Sequence, residues 1–333
     1  MTMFPPIFAT AALLLAATTA HAMSLPTYGA RLEGFDYPHP VRAYAFTSQA
    51  QPLEMAYLDI APATPNGRTV VLLHGKNFCA ATWEAAIAAL AEAGYRVVVP
   101  DQIGFCKSSK PPRYQYSFGQ LAANTHALLA SLGIERAVIV GHSMGGMLAA
   151  RYALQYPAAT ERLVLVNPIG LEDWKAEGVP WRSVDAWHAR EQKTSFDSIR
   201  DYQRTVYYGG EWKPAYERWV RMLGGMYAGD GREVVAWSQA LTSDMVFSQP
   251  VVHEFPQIAV PTTLFIGQKD RTAIGKDLAS PEVAQRIGDY PVLGKRAAAA
   301  IPGATLVEFA ELGHSPQVED PARFNAALLD ALQ

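Results

Sequence analysis

The stretch that decides the fold is Ala137-Val138-Ile139-Val140-Gly141-His142-Ser143-Met144-Gly145-Gly146. The first four residues form an unbroken apolar run, as expected of a strand covered on both faces. A glycine-rich turn follows, then a helical pattern to about Tyr156. In that context the Gly-x-Ser-x-Gly spacing describes a sharp strand-to-helix turn with an exposed serine hydroxyl at the carboxyl end of a sheet. Gly141 and Gly145 leave room for the turn. The helix start behind Ser143 offers N–H groups and partial positive charge to a developing oxyanion. The plainer alternative is a Gly-Ser turn that only caps a helix; the strand-turn-helix context favours the exposed serine.

Working outward, the same rhythm repeats. Val41 to Ser48 and Leu53 to Ile60 read as strands, and Thr69 to Leu73 is a buried strand ending in His74-Gly75. A helix is expected from Ala80 to Ala93, stopped by Gly94. Arg96 to Pro100 is a strand ending at Asp101, Phe118 to Leu132 a helix, and Arg162 to Val166 a strand. Strand–turn–helix alternation means crossover units: an α/β fold with a mostly parallel sheet and helices on both faces. The rhythm breaks from Gly170 to about Phe255, where helical patterns alternate with turns and no strand-like run occurs. Trp174, Trp181, Trp187, Trp212, Trp219 and Trp237 lie there. Strands resume at Thr262 to Ile266 and Thr305 to Phe309, and a terminal helix starts near Pro321. The predicted division is a leader over 1–22, a core over 23–168, a helical insertion over 169–258, and the rest of the core over 259–333.

Composition sets limits. At 333 residues, 50% apolar and 18% charged, the chain can bury a large core and is not a disordered segment. A net charge of −3 argues against nucleic-acid binding and against a polybasic membrane surface. Two cysteines without a Cys-x-x-Cys pair offer neither a disulfide scaffold nor a zinc site. Residues 1–22 carry no charge, run apolar from Ile7 to Ala17, and end in Ala20-His21-Ala22. That pattern predicts a signal peptide cleaved before Met23, a periplasmic or secreted product, and no stable membrane insertion after removal. The alternative is translation from Met23 and a cytoplasmic protein.

A serine hydroxyl needs a base, and the base needs an orienting acid. His314 follows the last strand in Gly313-His314-Ser315-Pro316, at the same sheet edge as Ser143. His74 and His142 sit in tight turns and are read as structural; His126, His188 and His253 are read as core or solvated side chains. Asp270 follows the strand Thr262 to Ile266 and is the expected acid. Glu172 and Asp173 are rivals for that role, and Asp101 is read as a loop-shaping residue.

These segments together resemble the α/β-hydrolase superfamily. They are Leu72-Leu73-His74-Gly75, Pro100-Asp101 with Gly104, Gly141 to Gly146, Gly267 to Asp270, and Gly313-His314 with Pro316, Glu319 and Pro321. The resemblance implies oxyanion donors at the backbone N–H of Met144 and of Lys76, with Asn77 the alternative to Lys76. The Lys76 side chain itself is read as solvated at the site mouth. The resemblance also makes the insertion a cap. The expected pocket is mostly apolar with few charges, a minority of the tryptophans lining it. It further implies a serine hydrolase of small to medium apolar carboxylic esters that works through an acyl-enzyme without metal or organic cofactor. Amide, lactone or C–C hydrolysis is the alternative within the fold, and a non-catalytic ligand receptor the alternative outside it. Cys79 and Cys106 lie on loops expected to meet at the site edge; in an exported protein they would pair as a disulfide, and otherwise pack as small apolar side chains.

Overall fold

The computed structural model of the chain describes residues 1–2 and 25–333, so the expected leader and its cleavage point lie outside the described residues. Eight strands form one sheet: β1 (Arg42–Ser48), β2 (Gln51–Ile60), β3 (Thr69–Leu73), β4 (Arg96–Pro100), β5 (Ala137–His142), β6 (Thr160–Val166), β7 (Thr262–Gly267) and β8 (Thr305–Phe309). Their spatial order is β1-β2-β4-β3-β5-β6-β7-β8. β1 and β2 are antiparallel, as are β2 and β4; every other pairing is parallel.

Strand periodicity sorts the core into two layers. Val70, Leu72, Val138, Val140, Val164 and Val166 point to one face. There they meet Ile87 and Leu90 of α1 (Glu84–Glu92) and Phe324 and Leu328 of the terminal helix. Val71, Leu73, Ile139, Leu163 and Leu165 point to the other face. That face is covered by α2 (Phe118–Ser131) and α3 (Met144–Gln155). Both faces of β3 and β5 are therefore buried, which is why their sequences run apolar without alternation. Each fully buried Val, Leu or Ile contributes about 1.5–3 kcal/mol of transfer free energy.

Between β6 and β7 the chain forms no strand. It folds as α4 (Val184–Glu191), α5 (Phe196–Tyr202), a π-helical turn Gln203–Tyr207, α6 (Glu217–Ala228) and α7 (Arg232–Ser248). This segment reaches the carboxyl edge of the sheet. Lys76, just beyond β3, bonds Glu191 at 3.2 Å and Gln239 at 2.8 Å, and Asn77 Nδ2–H donates to the Tyr207 hydroxyl at 2.8 Å. After β7 come α8 (Pro281–Arg286) and α9 (Tyr290–Ala300), then β8, a short α10 (Pro316–Glu319) and α11 (Pro321–Ala331). Cys79 and Cys106 are joined by a disulfide with a Cα separation of 5.9 Å, linking the loops after β3 and β4. Of the two sequence alternatives for this pair, the structure shows the bonded one.

Candidate active site

Ser143 stands between the last residue of β5 and the first of α3, with φ 57° and ψ −121°. A non-glycine residue held there stores about 1–3 kcal/mol of strain, which the surroundings must hold in place. The Ser143 N–H donates to Val166 O at 3.0 Å, and its carbonyl accepts from Gly146 N–H at 2.9 Å and Ile169 N–H at 3.2 Å. Two glycines permit the close approach. A Cβ on Gly145 would sit 2.2 Å from the Leu73 carbonyl oxygen, and one on Gly75 would sit 2.9 Å from the Ser143 Cβ. The end of β3 thus lies against the start of α3. This places Gly75-Lys76 beside Ser143.

The Ser143 hydroxyl oxygen is 2.9 Å from His314 Nε2, and His314 Nδ1 is 2.6 Å from Asp270 Oδ2. Asp270 and His314 are fully buried, and Ser143 is nearly so. Asp270 accepts two further bonds: from Asn167 Nδ2–H at 3.0 Å and from the Thr272 backbone N–H at 2.8 Å. An ionised carboxylate is an acceptor only, so Nδ1 of His314 carries the proton toward Asp270. Nε2 then presents its lone pair to Ser143.

His314 is held from several sides. Its N–H donates to Tyr207 O at 2.8 Å. Its carbonyl accepts from His142 Nε2–H at 2.8 Å. The Tyr207 ring stacks on the imidazole at 4.4 Å between centroids. The Glu319 carboxylate accepts from Gly313 N–H and from Ser315 N–H at 3.0 Å, clamping both neighbours of the histidine. Burial raises the Glu319 carboxyl to about 7. Burial also lowers the pKa of His74 and takes that of His142 far below the usual imidazole range. Both rings therefore stay neutral and structural. His74 Nδ1–H donates to Gly75 O at 2.9 Å, and its Nε2 accepts from Gln102 N–H at 3.0 Å.

The rival acids lie elsewhere. Glu172 accepts from Trp174 Nε1–H at 3.2 Å and Gly288 N–H at 2.8 Å, and its buried carboxyl has a raised pKa. Asp173 faces His253 at 3.0 Å. Asp101 is buried between the Tyr37 hydroxyl at 2.7 Å and the Ala80 N–H at 2.8 Å. Sequence reasoning missed Asn167, Thr272 and Tyr207. Asn167 could have been found, because it follows β6 at the same sheet edge, and Thr272 because it lies two residues after an Asp in a turn. Tyr207 carried no such signal.

Met144 is the first residue of α3, and the first N–H groups of a helix have no intrahelical partner. Lys76 lies beside Ser143 through Gly75. Its side chain is not the solvated lysine expected; it is 13% exposed and pairs with Glu191. Together with Gln203 and Ala273 it lines a cavity of about 480 Å³ between the core loops and the helical segment. The expectation of few charges fails there: Lys76, Arg190, Glu191, Lys193, Lys276 and Asp277 all contribute. These residues come from both walls, and ion pairs such as Lys76–Glu191 hold the walls together. Of the six tryptophans in the segment, Trp187 lines the cavity. The arrangement can draw a proton from a serine hydroxyl onto a histidine and steady the resulting imidazolium with a buried carboxylate.

The family model for the alpha/beta hydrolase fold matches residues 68–321, and the chain belongs to that family. A probable hydrolytic enzyme of Pseudomonas aeruginosa PAO1 has a crystal structure 65% identical to this chain. It superposes with a TM-score of 0.92, covering 93% of this chain and 99% of that one. An esterase from Exiguobacterium antarcticum shares the fold at 21% identity and TM-score 0.66, over 84% of this chain and 96% of its own. Among curated relatives, cis-3-alkyl-4-alkyloxetan-2-one decarboxylase of Xanthomonas campestris pv. campestris is 32% identical over 41% of this chain and 48% of its own length. The curated relatives are matched over only 30% to 51% of their length.

Proposed function

We propose that the chain is a serine hydrolase cleaving carboxylic esters of small to medium acids through an acyl-enzyme. The observation that carries this reading is the continuous chain Ser143 Oγ–His314 Nε2 at 2.9 Å and His314 Nδ1–Asp270 Oδ2 at 2.6 Å. Ser143 attacks the ester carbonyl while His314 takes its proton. The backbone N–H groups of Met144 and Lys76 receive the oxyanion. His314 returns the proton to the leaving alcohol, and water activated by the same ring releases the acid. Asp270 holds the tautomer throughout. These steps call on no metal or organic cofactor.

The helical segment over 169–258 acts as a cap that closes the acyl pocket. A cavity of about 480 Å³ is in the range of small-molecule sites. The ligand is a small molecule, not a nucleic acid. The Cys79–Cys106 disulfide supports export to an oxidising compartment.

The test is a panel of p-nitrophenyl esters of rising acyl length, run beside lactones, amino-acid amides and a vinylogous 1,5-diketone acid. The reading expects kcat/KM for esters to exceed the others and to rise and then fall with length. Faster turnover of amides or of the C–C substrate would replace it with those chemistries. Binding without turnover of any of them would favour a receptor.

A further inference from the structure

Residues 28–37, ahead of β1, touch both the helical segment and the core. On the helical side, Tyr28 N–H donates to Gly225 O of α6 at 2.8 Å. Three glycines make room for this approach. A Cβ on Gly225 would sit 2.3 Å from Tyr28 Cδ2, one on Gly229 2.0 Å from the Tyr28 carbonyl oxygen, and one on Gly231 2.5 Å from Ala30 Cα. Glycine weakens a helix interior, and the seat for Tyr28 accounts for its presence at Gly225.

On the core side, Arg31 Nε–H donates to Lys107 O at 2.9 Å, and Lys107 Nζ–H donates to Leu32 O at 2.9 Å. Arg31 also pairs with Glu54 of β2, Leu32 is fully buried, and the Tyr37 hydroxyl donates to Asp101 at 2.7 Å. Phe35 lies between the two sides. Its ring meets Tyr28 edge-on at 5.6 Å and Tyr37 at 6.1 Å, and the Arg218 guanidinium of α6 lies 5.7 Å from it. Residues 28–37 therefore form a strap that fastens α6 to the loop after β4. Arg218 also pairs with Glu84 of α1 at 2.6 Å, but an exposed pair of this kind contributes little.

Where α6 stands matters to the site. Leu223 and Tyr227 of α6 line the cavity. The Tyr227 hydroxyl donates to Glu191, whose other carboxylate oxygen accepts from Lys76. A shift of α6 would move two wall residues and loosen the partner of a third.

We propose that Tyr28, seated on Gly225, is a positioning residue for the α6 wall of the pocket, and that it acts on substrate binding and not on the Ser143–His314–Asp270 group. This deepens the ester-hydrolase reading and rests on it for the kinetics, though not for the packing. The test uses the full chain with p-nitrophenyl acetate, too short to need the wall, and p-nitrophenyl octanoate. Tyr28→Ala should raise KM for the octanoate about tenfold, with kcat for both esters and KM for the acetate within about threefold of wild type. Tyr28→Phe keeps the ring and should match wild type. Gly225→Ala disturbs the same contact from α6 and should raise the octanoate KM likewise; added to Tyr28→Ala, where the ring it meets is gone, it should change little. If Tyr28→Ala does not fold, Gly225→Ala carries the test.

A purely structural role would lower the active fraction, and so kcat for both esters, with KM unchanged; that outcome would overturn the proposal. So would an octanoate KM within about threefold of wild type in both variants. Hydrogen exchange gives a reading free of turnover. Tyr28→Ala should speed exchange across 217–228 and leave 137–155 as in wild type. Unchanged exchange across 217–228 refutes the positioning. Absence of ester turnover in wild type counts against the reaction alone, and the exchange comparison then decides.

Discussion

Tyr207 covers the imidazole of His314 at 4.4 Å, with 27° between the ring planes, and accepts the histidine's backbone N–H at 2.8 Å. A residue of the helical segment thus fixes both the ring and the main chain of the proposed base. Tyr207→Ala keeps the carbonyl and removes the ring. Its kcat is expected to fall about tenfold or more, since a misplaced general base loses efficiency steeply. Tyr207→Phe keeps the ring, loses the hydroxyl that accepts from Asn77, and should fall less. Steady-state kinetics on a soluble ester, separating kcat from KM, checks the order.

Asp270 is the acid that touches His314; Glu172 and Asp173 are engaged elsewhere. Asp270→Asn should lower kcat about 10³- to 10⁴-fold, because an amide can donate to Nδ1 and favour the wrong tautomer. Glu172→Gln keeps an acceptor for Gly288 and should leave kcat within about threefold of wild type. Equal losses in both variants would contradict this division of roles.

Glu319 gives a pH signature. Its folded carboxyl is raised to about 7 by burial, from an ordinary 4.5. The native state therefore holds a proton that the unfolded chain has lost between those values. Stability from this group is present below pH 4.5 and falls as pH rises toward 7, by on the order of 3 kcal/mol. Glu319→Gln cannot titrate. Denaturant melts from pH 4.5 to 7.5 should show wild type losing stability relative to the variant across that window. Parallel curves would rule the buried acid out.

The disulfide spans 27 residues between the loops after β3 and β4. By the chain-entropy estimate, closing a loop of that length contributes roughly 3–4 kcal/mol. The double variant Cys79→Ser with Cys106→Ser should lose about that much in urea unfolding, with an unchanged slope. Intact mass after alkylation under denaturing conditions should show no free thiol in the wild type.

Much of the frame could be read in the sequence, for a physical reason. Strands buried on both faces run apolar, and Gly94 and Gly133 punctuate the helices, so β3 to β7 stand out. Ser143, His314 and Asp270 were legible because each follows a strand at one sheet edge. The sheet order was not legible: the antiparallel position of β2 beside β4 depends on pairing, not on local pattern. The supports of His314 were also hidden. Tyr207 reaches it from the helical segment, and neither pattern nor composition records that meeting. The cavity was misjudged because aromatic content hid the charges. Trp181 is 65% exposed, while Lys76 and Lys276 come from core loops that close the wall from below.

The central claim is that Ser143, activated by His314, forms a covalent acyl-enzyme. Labelling the folded protein with a fluorophosphonate and mapping the adduct by peptide mass spectrometry tests it most directly. The account predicts one adduct, on Ser143, absent in Ser143→Ala and formed far more slowly in His314→Ala. An adduct on another residue, or none on a folded protein that still hydrolyses esters, would contradict it.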